Sequence, residues 1–587
     1  MESAALHGKR LGVILLMFAS VGCENDTGRG PDVLPQAAAA NIVLHNGKIV
    51  TVDRDFNLAT AIAISGDRIV TVGSDQDAIG MADDETRIID LDGRTVIPGL
   101  IDSHIHALGY GLHISQHVMF STGERLNVAG MLEKIGRGAA ESEAGEWIYV
   151  RGPYSLDFIE ERRLPNREEL DSVTPENPVF INTQGHIGVV NSKALAIAGV
   201  TESTPDPPNG VYLRDPETGK LTGTMYEFPA FTPFLKHIPP HSFEARVEAA
   251  RQANREFNRL GITTVVNLWA EPENVAVLKR LQEAGELTVR WSMVYRLSPG
   301  EFADKSYSEV GSLIRELAAT GEADDDWVTV NGVKIIYDGF AEAAYMHEPY
   351  LEDVFGPGWR GVAFWDVDSL RSVMRACLEN DVQVFVHVTG DRALDDVLDV
   401  MSAMDEVDTI PGRRWTLEHA STMPSDSNLQ LVRRLGLVVS TQQAMGWSIG
   451  KTLKDYWGER RGGTFAPNRT WLDALGHPYV KGGSDNRPIN PFVGMWAYLV
   501  REDLDGVVGN PDETLGLEDT LRLYTSSGAF GIFEEKSRGS LEAGKLADLV
   551  VLSADILGMP VDEIPSIEPY LTVVGGEIRF QQRDKIR

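Results

Sequence analysis

The feature that most narrows the folds open to this chain is a succession of short apolar, β-branched runs, each followed by a stretch of helical periodicity. Strands that are apolar on both faces and alternate with helices form parallel sheets covered on both sides. Eight such runs can be set out: Ile97 to His104, Ile262 to Asn267, Val289 to Tyr295, Thr329 to Asp338, Val382 to Val388, Arg414 to His419, Leu437 to Gln442 and Tyr479 to Asp485. That number closes a barrel, so the fold class is α/β with a (β/α)8 core. Residues 107–261 are far too many for an ordinary βα connection, which makes them an insertion over the first strand. Within them, Gly210 to Thr224 reads as a hairpin.

The two ends of the chain share a different texture. Asn41 to Ile97 is a series of short alternating strands punctuated by turns at Asn46-Gly47 and Gly66-Asp67. Leu546 to Leu552 and Tyr570 to Arg579 repeat that pattern near the C-terminus. A small β-sandwich built from 41–97 and 539–587 is the expectation, with the barrel over 98–538.

Residues before 41 belong to neither unit. Lys9 and Arg10 precede an apolar run of twelve residues, Leu11 to Gly22, too short to span a bilayer and suited to a secretory signal. The run ends in Ser20-Val21-Gly22-Cys23, which is similar to a lipobox and would place a lipid anchor on Cys23; plain cleavage after the small residues is the alternative. Polar residues 24–40 then read as a tether, and the protein is expected in the periplasm or cell envelope. With Cys377 as the other of the two cysteines, the mature body has no internal disulfide. Cys377 falls in an apparent helix, Asp368 to Asn380, as a small buried residue. A formal net charge of −32 argues against nucleic-acid partners and against binding of anionic lipid headgroups, which leaves a small-molecule substrate.

Chemistry-bearing residues gather at the carboxyl ends of the strand-like runs, where barrel enzymes build their sites. His104 and His106 alternate along one strand and so point the same way, able to share one metal. Lys334, His387, His419 and Asp485 stand in or at the ends of the fourth, fifth, sixth and eighth runs.

His104-x-His106 following Val96-Ile-Pro-Gly-Leu-Ile-Asp102, then Lys334, His387, His419 and Asp485 in order, resembles the amidohydrolase superfamily. Gly185-His186 to Leu195, Gly339 after the lysine, and Gly539 to Asp548 resemble its YtcJ-like branch, which includes N-substituted formamide deformylase-like enzymes. The resemblance spans about residues 41–580 and implies a distorted (β/α)8 TIM barrel with a split β-sandwich. It further implies that His104, His106 and Asp485 hold one divalent ion and His387 with His419 a second. Lys334 carrying CO2 as a carbamate would bridge them, since an ammonium would repel both cations. Imidazole and carboxylate donors suit zinc. A hydroxide held between the ions would attack a carbonyl, with Asp485 moving the proton to the leaving nitrogen. His186 either polarises that carbonyl or fixes a loop, and Asp391 either orients His387 or caps the next helix.

His45, His113, His117, His237, His241, His347 and His477 read as structural. Trp269, Tyr345 and Trp447 are candidates for an apolar wall. Arg151-Gly-Pro-Tyr154 and Asp338 to Tyr350 depart from the pattern of relatives where substrate should sit, so no relative's substrate transfers directly. The expected reaction is hydrolysis of an amide, N-formyl or cyclic amide C–N bond. An esterase or lactonase on the same centre, and a catalytically inactive periplasmic binding protein, are the alternatives.

Overall fold

The computed structural model describes residues 39–582 except 116–117, 121–122, 154, 184–185, 303, 320–325 and 352–354. The signal segment, Cys23, all of the tether but its last residues, His117, Tyr154 and Gly185 lie outside the described residues. Ala40, assigned to the tether by sequence, is buried, and its N–H donates to the Met81 carbonyl at 2.9 Å.

Eight parallel strands form one sheet in chain order: β1 (Leu100–Ile105), β2 (Ile262–Ala270), β3 (Arg290–Leu297), β4 (Val328–Ile336), β5 (Gln383–Val388), β6 (Thr416–His419), β7 (Val438–Thr441) and β8 (Val480–Gly482). Every residue of β1, β5, β6, β7 and β8 is buried, the burial that sequences apolar on both faces demand. The last strand returns to the first at the carboxyl end. There Asp485 N–H donates to the His104 carbonyl at 2.7 Å, and Ser484 N–H to Asp102 Oδ1 at 3.0 Å. The barrel is thus nearly closed, and its closure runs through the proposed ligands.

The first strand begins later than the sequence suggests. Thr95–Pro98 pairs antiparallel with Leu549–Leu552, outside the barrel, and Gly99 separates it from β1. A side chain at Gly99 would fall 2.2 Å from Thr263 Oγ1, so only glycine lets the chain pass this close to β2.

Thr95–Pro98 lies in a six-stranded sheet that takes strands from both ends of the chain, with Lys48–Val50 beside it on one flank and Leu549–Leu552 on the other. A second, four-stranded sheet is built around Ile42–His45 and Ala61–Ser65. Ile42, Leu44, Ile62 and Ile64 of one sheet share a core with Ile49, Val96, Leu549 and Val573 of the other. Arg290, at the start of β3, ties sandwich to barrel: its Nε and Nη2 donate to Asp548 at 2.7 and 3.0 Å, both side chains buried. The Gly539 to Asp548 stretch is therefore structural.

The insertion carries a five-stranded sheet of its own, and the expected hairpin is present as Val211–Arg214 against Leu221–Tyr226. Its assigned end at 261 is too late. Helix Phe243–Arg259, capped by Ser242 Oγ accepting from Ala245 N–H, lays Val247, Ala250, Ala253 and Phe257 against Ile262, Val265 and Trp291 of the barrel. Burial of such side chains contributes about 1.5–3 kcal/mol for each of the larger ones, which makes this helix barrel wall. Cys377 is buried in helix Val367–Glu379, as expected.

Candidate active site

His104 sits near the end of β1 with its side chain almost wholly buried. Its Nδ1 is 2.5 Å from Glu418 Oε2, and Glu418 is in turn 3.3 Å from Lys481 Nζ. Lys481 also donates to the Ser103 carbonyl at 3.2 Å. Burial would raise the Glu418 carboxyl, but Lys481 and His104 hold it far below its usual range, so it is an anion. Burial first, then the facing Lys334, pushes His104 down to about 4 despite that anion. The neutral ring donates Nδ1–H to Glu418 and keeps its Nε2 lone pair for an ion, the usual way a carboxylate orients a metal-binding histidine.

Asp485 closes the same group. Its Oδ1 is 3.0 Å from His106 Nε2 and 3.6 Å from His104 Nε2. Burial favours the acid form of Asp485, yet the hydrogen bond from His106 and the neighbouring histidines hold it well below the carboxylate range. Ligating atoms of His104, His106 and Asp485 all lie within 4.8 Å of one another. Asp485 and His419 have positive φ, 48° and 73°, a conformation that non-glycine residues adopt where the surroundings over-determine it.

His387 and His419 form the opposite side. Their ring centroids are 4.5 Å apart, and His419 is 4.6 Å from His104. His387 Nε2 is 3.0 Å from Thr389 Oγ1 and 3.3 Å from the Gly339 carbonyl, so an ion would be met through Nδ1. Burial drives both rings well below their ordinary range and leaves them neutral.

Lys334, on β4, is the unusual member. It is 2% exposed, and its Nζ has no hydrogen-bond partner among the described residues. Burial pushes it down to about 8 against the pull of Glu418 and Asp485. A buried amine without partners costs several kcal/mol as a bare cation, on the order of what desolvation of a charge implies. The neutral rings of His104, His387 and His419, an ionised aspartate and this orphaned amine fit a divalent-metal centre. A well-paired structural ion cluster would look different.

Two assignments change. Asp391 does not contact His387; it is the first residue of helix Asp391–Ser402, after the cap Gly390, and its Oδ1 accepts the Arg392 N–H of that first turn and the His347 N–H, each at 2.8 Å. The carboxylate that braces the His387 loop is Asp338, which accepts from Thr389 N–H at 3.0 Å, Gly390 N–H at 2.9 Å and Tyr345 N–H at 3.0 Å. His186, from the insertion, stands 5.6 Å from the Phe340 ring, and Phe340 stands 6.1 Å from His419. Its Nδ1 faces Glu227 Oε1 at 3.3 Å. Burial opposes protonation of His186, but Glu227 and Glu342 outweigh it and raise the ring. Trp269 sits edge-on to His106 at 5.6 Å, whereas Trp447 packs on Phe158 and Trp496. Arg392 stacks on Tyr345 at 4.5 Å. His113, His347 and His477 each have a structural contact, to the Phe120 carbonyl, Asp395 and Asp519.

Glu418, Lys481, Asp338, Glu227 and Glu342 were not singled out from the sequence. Glu418 directly precedes His419, and that adjacency was the one available signal.

The amidohydrolase family profile matches residues 87–580. An N-substituted formamide deformylase of Arthrobacter pascens is 28% identical over 561 residues, covering 92% of this chain and 98% of its own length. The YtcJ amidohydrolase of Bacillus subtilis is 26% identical, with 85% and 91% covered. Among solved structures, a metal-dependent hydrolase from Pyrococcus horikoshii superposes with a TM-score of 0.68 at 22% identity, over 89% of this chain and 99% of that one. The chain belongs to the amidohydrolase family, in its YtcJ-like branch.

Proposed function

We propose that this protein hydrolyses a non-peptide C–N bond, in an amide, N-formyl compound or cyclic amide, at a centre for two divalent ions. The observation that carries this reading is Lys334 Nζ, buried and unpartnered among five metal-binding side chains. His104, His106 and Asp485 would hold one ion and His387 with His419 the other, zinc being the metal these donors suit best, with Lys334 carbamylated by CO2 between them. Bound there, the ions supply water activation near neutral pH and polarise the carbonyl.

The chain's own residues do the rest. Asp485, ionised and held against His106, accepts the proton of the attacking water and delivers it to the leaving nitrogen. Glu418 fixes the tautomer and plane of His104. Asp338 holds the backbone around His387 so that its ring faces His419. His186 approaches from the insertion and hydrogen-bonds the substrate carbonyl, while Phe340 and Trp269 wall the site against water. The C–N assignment draws support from the relative named as an N-substituted formamide deformylase. We also propose that residues 1–23 export the protein and that Cys23 anchors it by lipid.

The deciding experiment compares amide, formamide and ester forms of one scaffold with the zinc- and bicarbonate-loaded enzyme. A preference for the C–N substrates upholds the reading. A large preference for the ester replaces it with an esterase, and no turnover of either, with no metal bound, returns a binding protein.

A further inference from the structure

A second group of ligating side chains lies outside the centre described above. His186, Glu227 and Glu342 present donor atoms that are all within 4.8 Å of one another. Phe340 packs near both His186 and His419, at 5.6 and 6.1 Å, and the three donors share no residue with the first set. Glu227 and Glu342 are 1% and 4% exposed, and Glu342 Oε1 is buried with no hydrogen-bond partner among the described residues.

We infer that His186, Glu227 and Glu342 form an additional divalent-metal site, independent of the proposed dinuclear centre. Donors about 2.0–2.2 Å from a tetrahedral ion stand about 3.3–3.6 Å from each other. His186 Nδ1 and Glu227 Oε1 are already 3.3 Å apart, and Glu342 completes the set by a small side-chain movement. The charge of the two buried carboxylates is balanced in part by Arg487 and by His186, whose proton a divalent cation would displace. The buried Glu342 oxygen without a hydrogen-bond partner is a free donor for an ion.

Local geometry is arranged for this. Glu227 has φ 64° and ψ 151°, a region occupied almost only by glycine, and its N–H donates to the His186 carbonyl at 2.8 Å. Held that way, His186, just before strand Ile187–Val190, and Glu227, just after strand Leu221–Tyr226, present their side chains together. Glu342 arrives from the segment after β4, so the ion would tie the insertion to the barrel. With Nδ1 on the metal, His186 Nε2 stays available to the substrate carbonyl. One nitrogen and two carboxylate oxygens suit zinc, manganese or iron.

The test is metal stoichiometry of the full chain, stripped, reloaded with Zn2+ and bicarbonate, desalted and analysed for zinc, with circular dichroism checking each variant. Wild type should bind about three ions, and Glu342→Gln and Glu227→Gln about one fewer each, while His387→Ala keeps the ion that those two lose. An ion lost in Glu342→Gln but not in His387→Ala supports this site even where the dinuclear centre fails. Equal stoichiometry in wild type, Glu342→Gln and Glu227→Gln overturns it. Where a variant does not fold, zinc anomalous scattering from wild-type crystals decides: a peak among the three donors upholds the site, and its absence there refutes it.

Discussion

His104 Nδ1 and Glu418 Oε2 are 2.5 Å apart, with both side chains at most 1% exposed, and the same carboxylate receives Lys481 on its other oxygen. One anion therefore orients a metal-binding ring and neutralises a buried ammonium. Glu418→Gln keeps the shape and removes the charge. We expect metal affinity to fall about 10- to 100-fold, as for other outer carboxylates of metal-bound histidines. Stability should drop by about 3–5 kcal/mol because Lys481 is left a buried, uncompensated cation. Chelator competition and urea unfolding read the two effects separately.

Lys334→Ala removes the proposed bridging group and opens a small space beside the buried imidazoles of His104, His387 and His419. Activity is expected to fall by about 10^2–10^3-fold, the scale of losing one preorganised electrostatic group. Formate or acetate in the assay should restore part of it by supplying a carboxylate in place of the proposed carbamate. Full activity in Lys334→Ala without added acid would rule out the bridge.

Asp102 Oδ1 accepts the N–H groups of both His104 and Ser484, at 3.2 and 3.0 Å, and so pins β8 to β1. In Asp102→Ala these buried donors lose their acceptor, at about 1–3 kcal/mol each. Asp102→Asn retains an oxygen and should recover most of that stability. Denaturant titration of the two variants gives the comparison.

Gly483 has no room for a side chain: a Cβ there would lie 2.5 Å from His104 N and 2.7 Å from His104 Cβ. Gly483→Ala must push β8 away from β1 and carry Asp485 off His104. Loss of zinc together with turnover, in a protein that still shows native circular dichroism, is the expected result.

His113 lies away from the metal ligands and its ring is pushed down to about 4, by burial first and by Arg151 and Lys134 after it. Unfolded, it takes a proton near 6.5, so between about 6.5 and 4 the unfolded chain binds more protons than the folded one. Stability is intact above that window and declines as pH falls through it, by up to about 3 kcal/mol from this residue. The melting temperature of His113→Gln should therefore fall less steeply than that of wild type over the same range, whatever its level at neutral pH.

Much of this was legible before any coordinates. β1, β5, β6 and β8 are legible because they lie in largely apolar runs, as strands buried on both faces require, and His104, His387, His419 and Asp485 mark their carboxyl ends. The misread borders have physical causes. Thr95–Pro98 and β1 form one continuous apolar run, and only the close approach of Gly99 to Thr263 divides them between two sheets. Helix Phe243–Arg259 looks like part of the insertion until its apolar face is seen against Trp291. Asp391 looked like a partner for His387 because it is four residues away, but the turn at Gly390 brings Asp338 there instead.

By itself the sequence determined the barrel class, the strand-bearing termini and the candidate side chains at the strand ends, because periodicity and strand-end position are local properties of the chain. Tertiary structure alone decided what those side chains lean on. Glu418 with Lys481, Asp338 beneath His387, and Glu227 with Glu342 around His186 are charged residues that sequence reasoning assigns to the surface. Glu418 and Asp338 are buried because distant partners satisfy them, Lys481 for the one and the N–H groups of Tyr345, Thr389 and Gly390 for the other, and those partners, like the meeting of Glu227 and Glu342 with His186, exist only once the barrel and its insertion have closed.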